Sequence, residues 1–232
     1  MKIIQKLLTV NHRKGRIYNN TKYKSIGICN HISVGLRGSV TNWFNNPNSQ
    51  SSYHYLVCKN GDIIQFVRDE DTAWSQGIVN KPTAKIYFDN GRINPNWYLI
   101  SISHEVTSTE ALTEEQYQSS LWLHNELINK YNIPITREFI IGHFELDSVN
   151  RVNDPQRNFP WDRLINDLIK LNNKEDVSMK KIENIDEALK VLVDNGVLNS
   201  PDYWKAASNM VKYFDIFILN VANKLNGWKG GK

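Results

Sequence analysis

Apolar and polar positions follow a strand-like period through the first half of this chain and a helical one through most of the rest. Residues 22–33 read as a strand, with Ile26 and Ile28 on one face, and Ser51 to Val57 reads as a second. Lys59-Asn60-Gly61-Asp62 follows, and its Asn-Gly pair tolerates the positive φ that a tight hairpin demands. Ile63 to Val67 is therefore expected to return as a third strand. Trp97 to Thr107 makes a fourth. Its alternation places Ile100, Ile102, His104 and Val106 on one face and Ser101, Ser103 and Glu105 on the other.

Helical spacing begins at Thr113, a good N-cap followed by Glu114 and Glu115 in the first turn. Leu121, Leu123, Leu127 and Ile128 mark its apolar side, and it ends near Tyr131-Asn132 before Pro134. Phe139-Ile140-Ile141 is a short strand, and Trp161 to Leu171 closes the region as a helix. Strands followed by helices interleaved with a strand predict an α/β fold with a mixed central sheet flanked by helices. The polar run Asn172 to Asp176 reads as a linker. Beyond it only helices are expected: Asp186 to Asp194 closed by Gly196, one opened by Ser200-Pro201, and Asp215 to Leu225. The expected organisation is a domain over residues 1–173 and a small all-helical one over 177–232.

Composition narrows the partners. The 232 residues carry 28 Lys and Arg against 24 Asp and Glu, a net charge of +4 that is not gathered into one block. No basic run with interleaved aromatics appears, so no nucleic-acid partner is expected, whereas an anionic polymer such as a cell wall suits the excess. Seven Trp and ten Tyr are many for this length, and some are expected to line a groove. Cys29 and Cys58 are too few for a disulfide framework and are expected as reduced core thiols. The segment Met1 to Leu8 is too short and polar for a signal peptide, and no apolar stretch suits a membrane span. The chain is thus expected to be made in the cytoplasm, without membrane insertion.

Three separated residues suit one zinc ion. His31 ends a strand-like run, His143 follows Ile141-Gly142, and Asp154 precedes Pro155. Three protein ligands leave a fourth position for water, as catalysis requires. Glu105, on the polar face of its strand, is a candidate base, although the pattern taken alone favours a solvated strand-edge carboxylate. Tyr53 is a candidate hydrogen-bond donor to a developing oxyanion. His104 points to the opposite face and is expected to be packed or hydrogen-bonded rather than a ligand. His12 and His124 lack metal-like contexts, and His124 is expected to be partly exposed on its helix.

Together these segments resemble the zinc-dependent N-acetylmuramoyl-L-alanine amidases of the peptidoglycan-recognition-protein-like family, bacteriophage endolysins and bacterial autolysins above all. The resemblance runs from about Ile26 to Leu168. His31-Ile32-Ser33, Ser52 to Val57 with Asn60-Gly61, Ala73-Trp74, Ser101 to Glu105, Ile141-Gly142-His143 and Asp154-Pro155 with Phe159-Pro160-Trp161 occur in the family's order. It implies zinc held by His31, His143 and Asp154, with hydrolysis of the amide between N-acetylmuramic acid and L-alanine of the peptidoglycan stem peptide. Glu105 and Tyr53 would be catalytic, and Trp74, Arg151 and Arg157 would bind substrate. It also implies a phage or prophage lytic enzyme, released from the cytoplasm through a holin or by lysis.

Three positions depart from the family pattern. Val152 stands where many relatives have a lysine, so Arg151 or Arg157 is left to supply that charge. Ser75 replaces a histidine after Ala-Trp, and Gln156 replaces a glycine after Asp-Pro. The segment Asn195 to Trp204 is similar to modules appended to cell-wall enzymes of Gram-positive bacteria. It implies wall attachment, or pairing of two copies through exposed apolar residues such as Tyr203, Trp204, Phe214 and Phe217. Two other readings remain at this stage: a recognition module that binds muropeptides without cleaving them, and a glycosidase using Glu105 and Glu145.

Overall fold

Runs of β-branched residues with few breaks specify the centre of the fold. The computed structural model describes residues 1–178, 182–208 and 214–225. Six short strands form one mixed sheet: β1 (Ile3–Gln5), β2 (Gly27–Ile32), β3 (Tyr55–Val57), β4 (Ile63–Gln65), β5 (Leu99–His104) and β6 (Ile140–Gly142), in the order β1-β4-β3-β5-β2-β6. β3 and β4 are the expected antiparallel hairpin, with Val57 opposite Ile63 and Gly61 at φ +83° in the turn. The remaining neighbours are parallel.

Helices cover both faces. On one, α3 (Glu114–Tyr131) and the first turns of α4 (Trp161–Ser178) bury Leu123, Leu127, Leu164 and Leu168 against Ile28, Ile100, Ile102 and Ile140. Thr113 caps α3 by accepting from Gln116 N at 3.1 Å. On the other face, α1 (Arg37–Asn45) sets Val40 and Phe44 against Leu56, Ile64 and Phe66, and α2 (Lys85–Asp89) sets Ile86 among Cys29, Leu99 and Ile141. Both cysteines are free and buried. His124 is fully buried inside α3 rather than partly exposed, its Nδ1 donating to the Ser120 carbonyl at 2.8 Å.

The strand at Ile3–Gln5 and helix α2 carry no sequence signal that separates them from loop, and α1 carries only the i, i+4 pair Val40 and Phe44. α1 has no side-chain cap from its own neighbours, since Leu36 stands at its N-cap. Its first amide, Arg37 N, instead donates to the carboxylate of Glu105, 68 residues away, at 2.5 Å. A cap supplied by tertiary structure leaves no local trace.

The chain divides into two compact units, Met1–Leu168 and Ile169–Lys232. The polar run Asn172 to Asp176 is helical, because α4 continues to Ser178. Polarity without Gly or Pro does not end a helix, and Lys and Glu are good helix formers. The second unit contains α5 (Ile185–Asp194), α6 (Pro201–Ser208) and α7 (Phe214–Leu225), around Ile182, Ala188, Leu189, Leu192, Ile218 and Ala222. Trp204 packs against this core, while Tyr203 and Phe217 are exposed. The side chain of Phe214 and residues 179–181, 209–213 and 226–232 lie outside the described set. No helix among the described residues is long and apolar enough to cross a membrane.

A buried carboxylate ties β3, β4 and α3 together. Asp69 accepts from Tyr55 Oη (2.5 Å), Lys130 Nζ (2.8 Å) and Tyr131 Oη (3.0 Å). Burial pushes its pKa up, but hydrogen bonds from Lys130 and Tyr55 outweigh that and hold it below the usual carboxylate range. This stabilisation is present above the unfolded-state pKa of about 3.9 and is lost as pH falls through the folded value. Asp69→Asn should therefore lower unfolding stability by about 1.5–3 kcal/mol at neutral pH, the scale of hydrogen bonds to a charged group. The gap to wild type should shrink in acid; denaturant unfolding that shows an equal gap at every pH would show that charge is not the cause.

Candidate metal centre

Parallel strands deliver their carboxyl ends to one edge of a sheet, where side chains from distant segments meet. His31 is the fifth residue of β2, and β6 runs directly into His143, the first residue of a 3₁₀ turn. Gly142 pairs with Asn30, so His143 emerges beside His31. Only glycine fits there: a Cβ on Gly142 would lie 2.5 Å from the Phe144 ring and 2.8 Å from Pro155 Cδ. Asp154 arrives on a loop that Asp147 shapes by accepting from Val149 N (3.1 Å) and Asn150 N (2.8 Å). The amide of Ile32 then holds Asp154 Oδ1 at 2.8 Å.

These three side chains place one ligand atom each within 4.8 Å of one another. His143 Nδ1 is 2.8 Å from Asp154 Oδ2, and His31 Nδ1 is 3.5 Å from the same oxygen. His31 is fully buried, yet among the described residues neither of its ring nitrogens has a hydrogen-bond partner. Orphaned buried nitrogens are costly and rare. Burial lowers the His31 pKa to about 4, so the ring is neutral near pH 7. Burial also pushes Asp154 up, but the adjacent His31 and His143 outweigh it and hold the carboxyl well below its ordinary range. One carboxylate facing two imidazole rings fits the N, N, O donor set of a zinc ion.

The site opens into a cavity of about 760 Å³, lined among others by Ser33, Trp43, Tyr53, Arg151, Val152 and Asp154. The Tyr53 ring lies 4.9 Å from that of His31. Burial and Asp154 raise its pKa, so it stays a phenol able to donate. Arg151 is exposed but lines the cavity, and its charge is felt at both Tyr53 and His31. Arg157 and Trp74 do not line it. The tryptophan that does is Trp43, half exposed on α1. Val40 and Phe44, four residues apart, are the sequence signal for that helix, with Trp43 off its buried stripe. Gln76 carried no signal: its backbone carbonyl lies 2.9 Å from His143 Nε2.

Glu105 shares the sheet face of His31, two residues beyond its cross-strand partner Ser103. Its carboxylate is buried and accepts from Arg37 N (2.5 Å) and Lys59 N (3.0 Å). Glu145 accepts from Gly142 N at 2.9 Å and pairs with Arg137. Glu145 is tied to Arg137 and the Gly142 amide and does not line the cavity, so the second carboxylate that a glycosidase would need has no support. His104 is held as expected, by the His31 carbonyl (3.1 Å) and Ser120 Oγ (2.8 Å).

Comparison with known proteins adds to this geometry. Residues 18–157 match the family model described as N-acetylmuramoyl-L-alanine amidase. The chain is 32% identical over 114 residues to the 1,6-anhydro-N-acetylmuramyl-L-alanine amidase AmpD of Haemophilus influenzae, covering 49% of this chain and 56% of that protein. It thus spans about half the length of that relative. It is 26% identical over 153 residues to N-acetylmuramoyl-L-alanine amidase A of Achromobacter lyticus, covering 64% of this chain and 86% of that protein. The crystal structure of a selenomethionine derivative of AmpD shares the fold, with a TM-score of 0.56 and 21% identity over 72% of this chain and 93% of that one.

A ligand bound only by the folded state raises stability by about 2.7 kcal/mol at a hundred times its dissociation constant. Zinc at such a concentration should therefore raise the melting temperature by several degrees, and should leave His143→Ala unmoved. A wild-type chain that melts identically with and without zinc would contradict a metal centre built from these residues.

Proposed function

The chain belongs to the N-acetylmuramoyl-L-alanine amidase family, and we propose that it hydrolyses, with zinc, the amide between the lactyl group of N-acetylmuramic acid and L-alanine of the stem peptide in bacterial peptidoglycan. The observation that carries this reading is the buried, unpartnered ring of His31 facing Asp154 and His143 beside the cavity. Zinc held by His31, His143 and Asp154 would polarise the scissile carbonyl and bring the pKa of water from 15.7 down to about 7.

The chain's own groups supply the rest. Glu105 is our candidate for the group that takes a proton from the attacking water and returns it to the leaving amine. A carboxylate has about four lone-pair sites, and two amides occupy two of them, leaving capacity for water. Tyr53 donates to the oxygen on which charge develops as the carbonyl is attacked. Arg151 provides the positive charge at the cavity that Val152 does not. Water's oxygen ends on the lactyl carbonyl carbon, the C–N bond breaks, and the proton leaves with the L-alanine nitrogen.

Digested walls should gain free L-alanine amines without new reducing sugar, and chelation should stop the reaction until zinc is returned. Glu105→Gln should lose on the order of a hundredfold in turnover or more while keeping its zinc. Arg151→Ala should lose activity with zinc content unchanged. New reducing ends would overturn the amide assignment, and a Glu105→Gln variant within about threefold of wild type would leave Glu105 as the anchor of α1 alone.

We also propose that the C-terminal unit holds the enzyme on the wall. Its own apolar core and its exposed Tyr203 and Phe217 support this. Tethering raises effective concentration at a surface without touching the catalytic step. A chain ending at residue 178 should pellet less with intact walls and turn over soluble muropeptides as before. Equal pelleting by the two chains would discard the tethering role.

A further inference from the structure

A histidine that binds a metal through Nδ1 must carry its proton on Nε2, and something has to hold it there. In this chain that group is the carbonyl of Gln76, 2.9 Å from His143 Nε2. A carbonyl only accepts, so the nitrogen facing it donates. In a neutral ring Nδ1 then turns its lone pair toward Asp154 Oδ2, 2.8 Å away, on the side where a metal would be held. In that tautomer Asp154 Oδ2 has no proton to accept from His143, so a cation, or a second proton on the ring, is what draws the two atoms together.

The carbonyl sits in an irregular segment past the short strand Thr72–Ala73, where no sheet ladder fixes it. The buried side chain of Asn96 does so instead. Its Oδ1 accepts from Ser75 N (3.1 Å), Ser75 Oγ (3.2 Å) and Gln76 N (3.0 Å). Asn96 is itself pinned: its amide donates to Asn94 Oδ1 at 2.9 Å, and its carbonyl accepts from the buried Arg16 at 3.1 Å. Ser75 is one of the positions that depart from the family pattern, and both of its donors are used in this clamp.

We propose that Asn96 is a positioning residue of the metal centre: by clamping Ser75 and Gln76 it aims the Gln76 carbonyl at His143 and so fixes which ring nitrogen faces Asp154. This rests on reading His31, His143 and Asp154 as metal ligands. Removing a group that orients a metal-bound histidine typically costs 10–100-fold in metal affinity.

Two measurements test it. Nitrogen NMR of the histidine rings in metal-free wild type at about pH 8 should show His143 protonated on Nε2. Competition against a chromogenic chelator should show zinc affinity falling about 10–100-fold in Asn96→Ala. Asn96→Asp, which keeps the acceptor oxygen, should stay within a few-fold of wild type. Wild-type His143 protonated on Nδ1 overturns the proposal without need of any variant. Zinc affinity unchanged in a folded Asn96→Ala, or lost equally in Asn96→Asp, overturns it as well. Wild type that binds no zinc at all would instead bring down the metal reading itself, so the two failures are distinguishable.

Discussion

Asp154 is an anion buried against two imidazole rings, and its charge dictates what surrounds it. Burial alone would push the carboxyl toward its neutral form. The Ile32 amide and the two histidines reverse that. None of these partners is near Asp154 in sequence except His143, so the carboxylate can stay ionised once buried only when β2 and β6 lie side by side. The pairing of Gly142 with Asn30 and the missing side chain at Gly142 are therefore conditions of the electrostatics as much as of the packing.

The same economy appears at Glu105. The residue directly follows β5 and closes the first turn of α1, whose own sequence offers no cap. α1 in turn brings Val40, Trp43 and Phe44 to the cavity wall. A carboxylate at a helix N-terminus is favoured by the helix dipole. Scaffold and candidate chemistry are thus carried by one side chain, and the cavity on one side of the sheet depends on a charge placed by a strand in its middle.

How much of this was legible follows from where each signal lies. The hairpin at Asn60-Gly61, the polar and apolar faces of β5 and the capped start of α3 rest on contacts within a few residues, and the chain states them directly. The six segments that resemble the family located His31, Tyr53, Glu105, His143 and Asp154, and four of these five meet at one site, with Glu105 on the same face. What escaped depends on distant partners: α1 is capped from 68 residues away, and Trp43, not Trp74, lines the cavity as a result. The run at Asn172 to Asp176 misled for a different reason, since composition distinguishes wet from dry more surely than helix from linker.

Beneath the site, polar groups do what a β-ladder would do elsewhere. Arg16 is almost fully buried and donates to the carbonyls of Asp69 (2.8 Å), Asn96 (3.1 Å) and Leu99 (3.2 Å), with His54 at 2.8 Å. Burial lowers its pKa to about 10, which leaves it charged at any physiological pH. Charge-assisted donors of this kind satisfy carbonyls in loops that have no strand beside them. They join the segment around Asp69, the turn that carries Asn96 and the start of β5 into one rigid body. A candidate metal centre whose residues come from one strand, the turn after another and a loop needs its irregular parts held as firmly as its strands, because an error of about an ångström in one ligand removes the geometry. That requirement explains why an arginine, a histidine and an asparagine are buried where a simpler core would carry apolar residues.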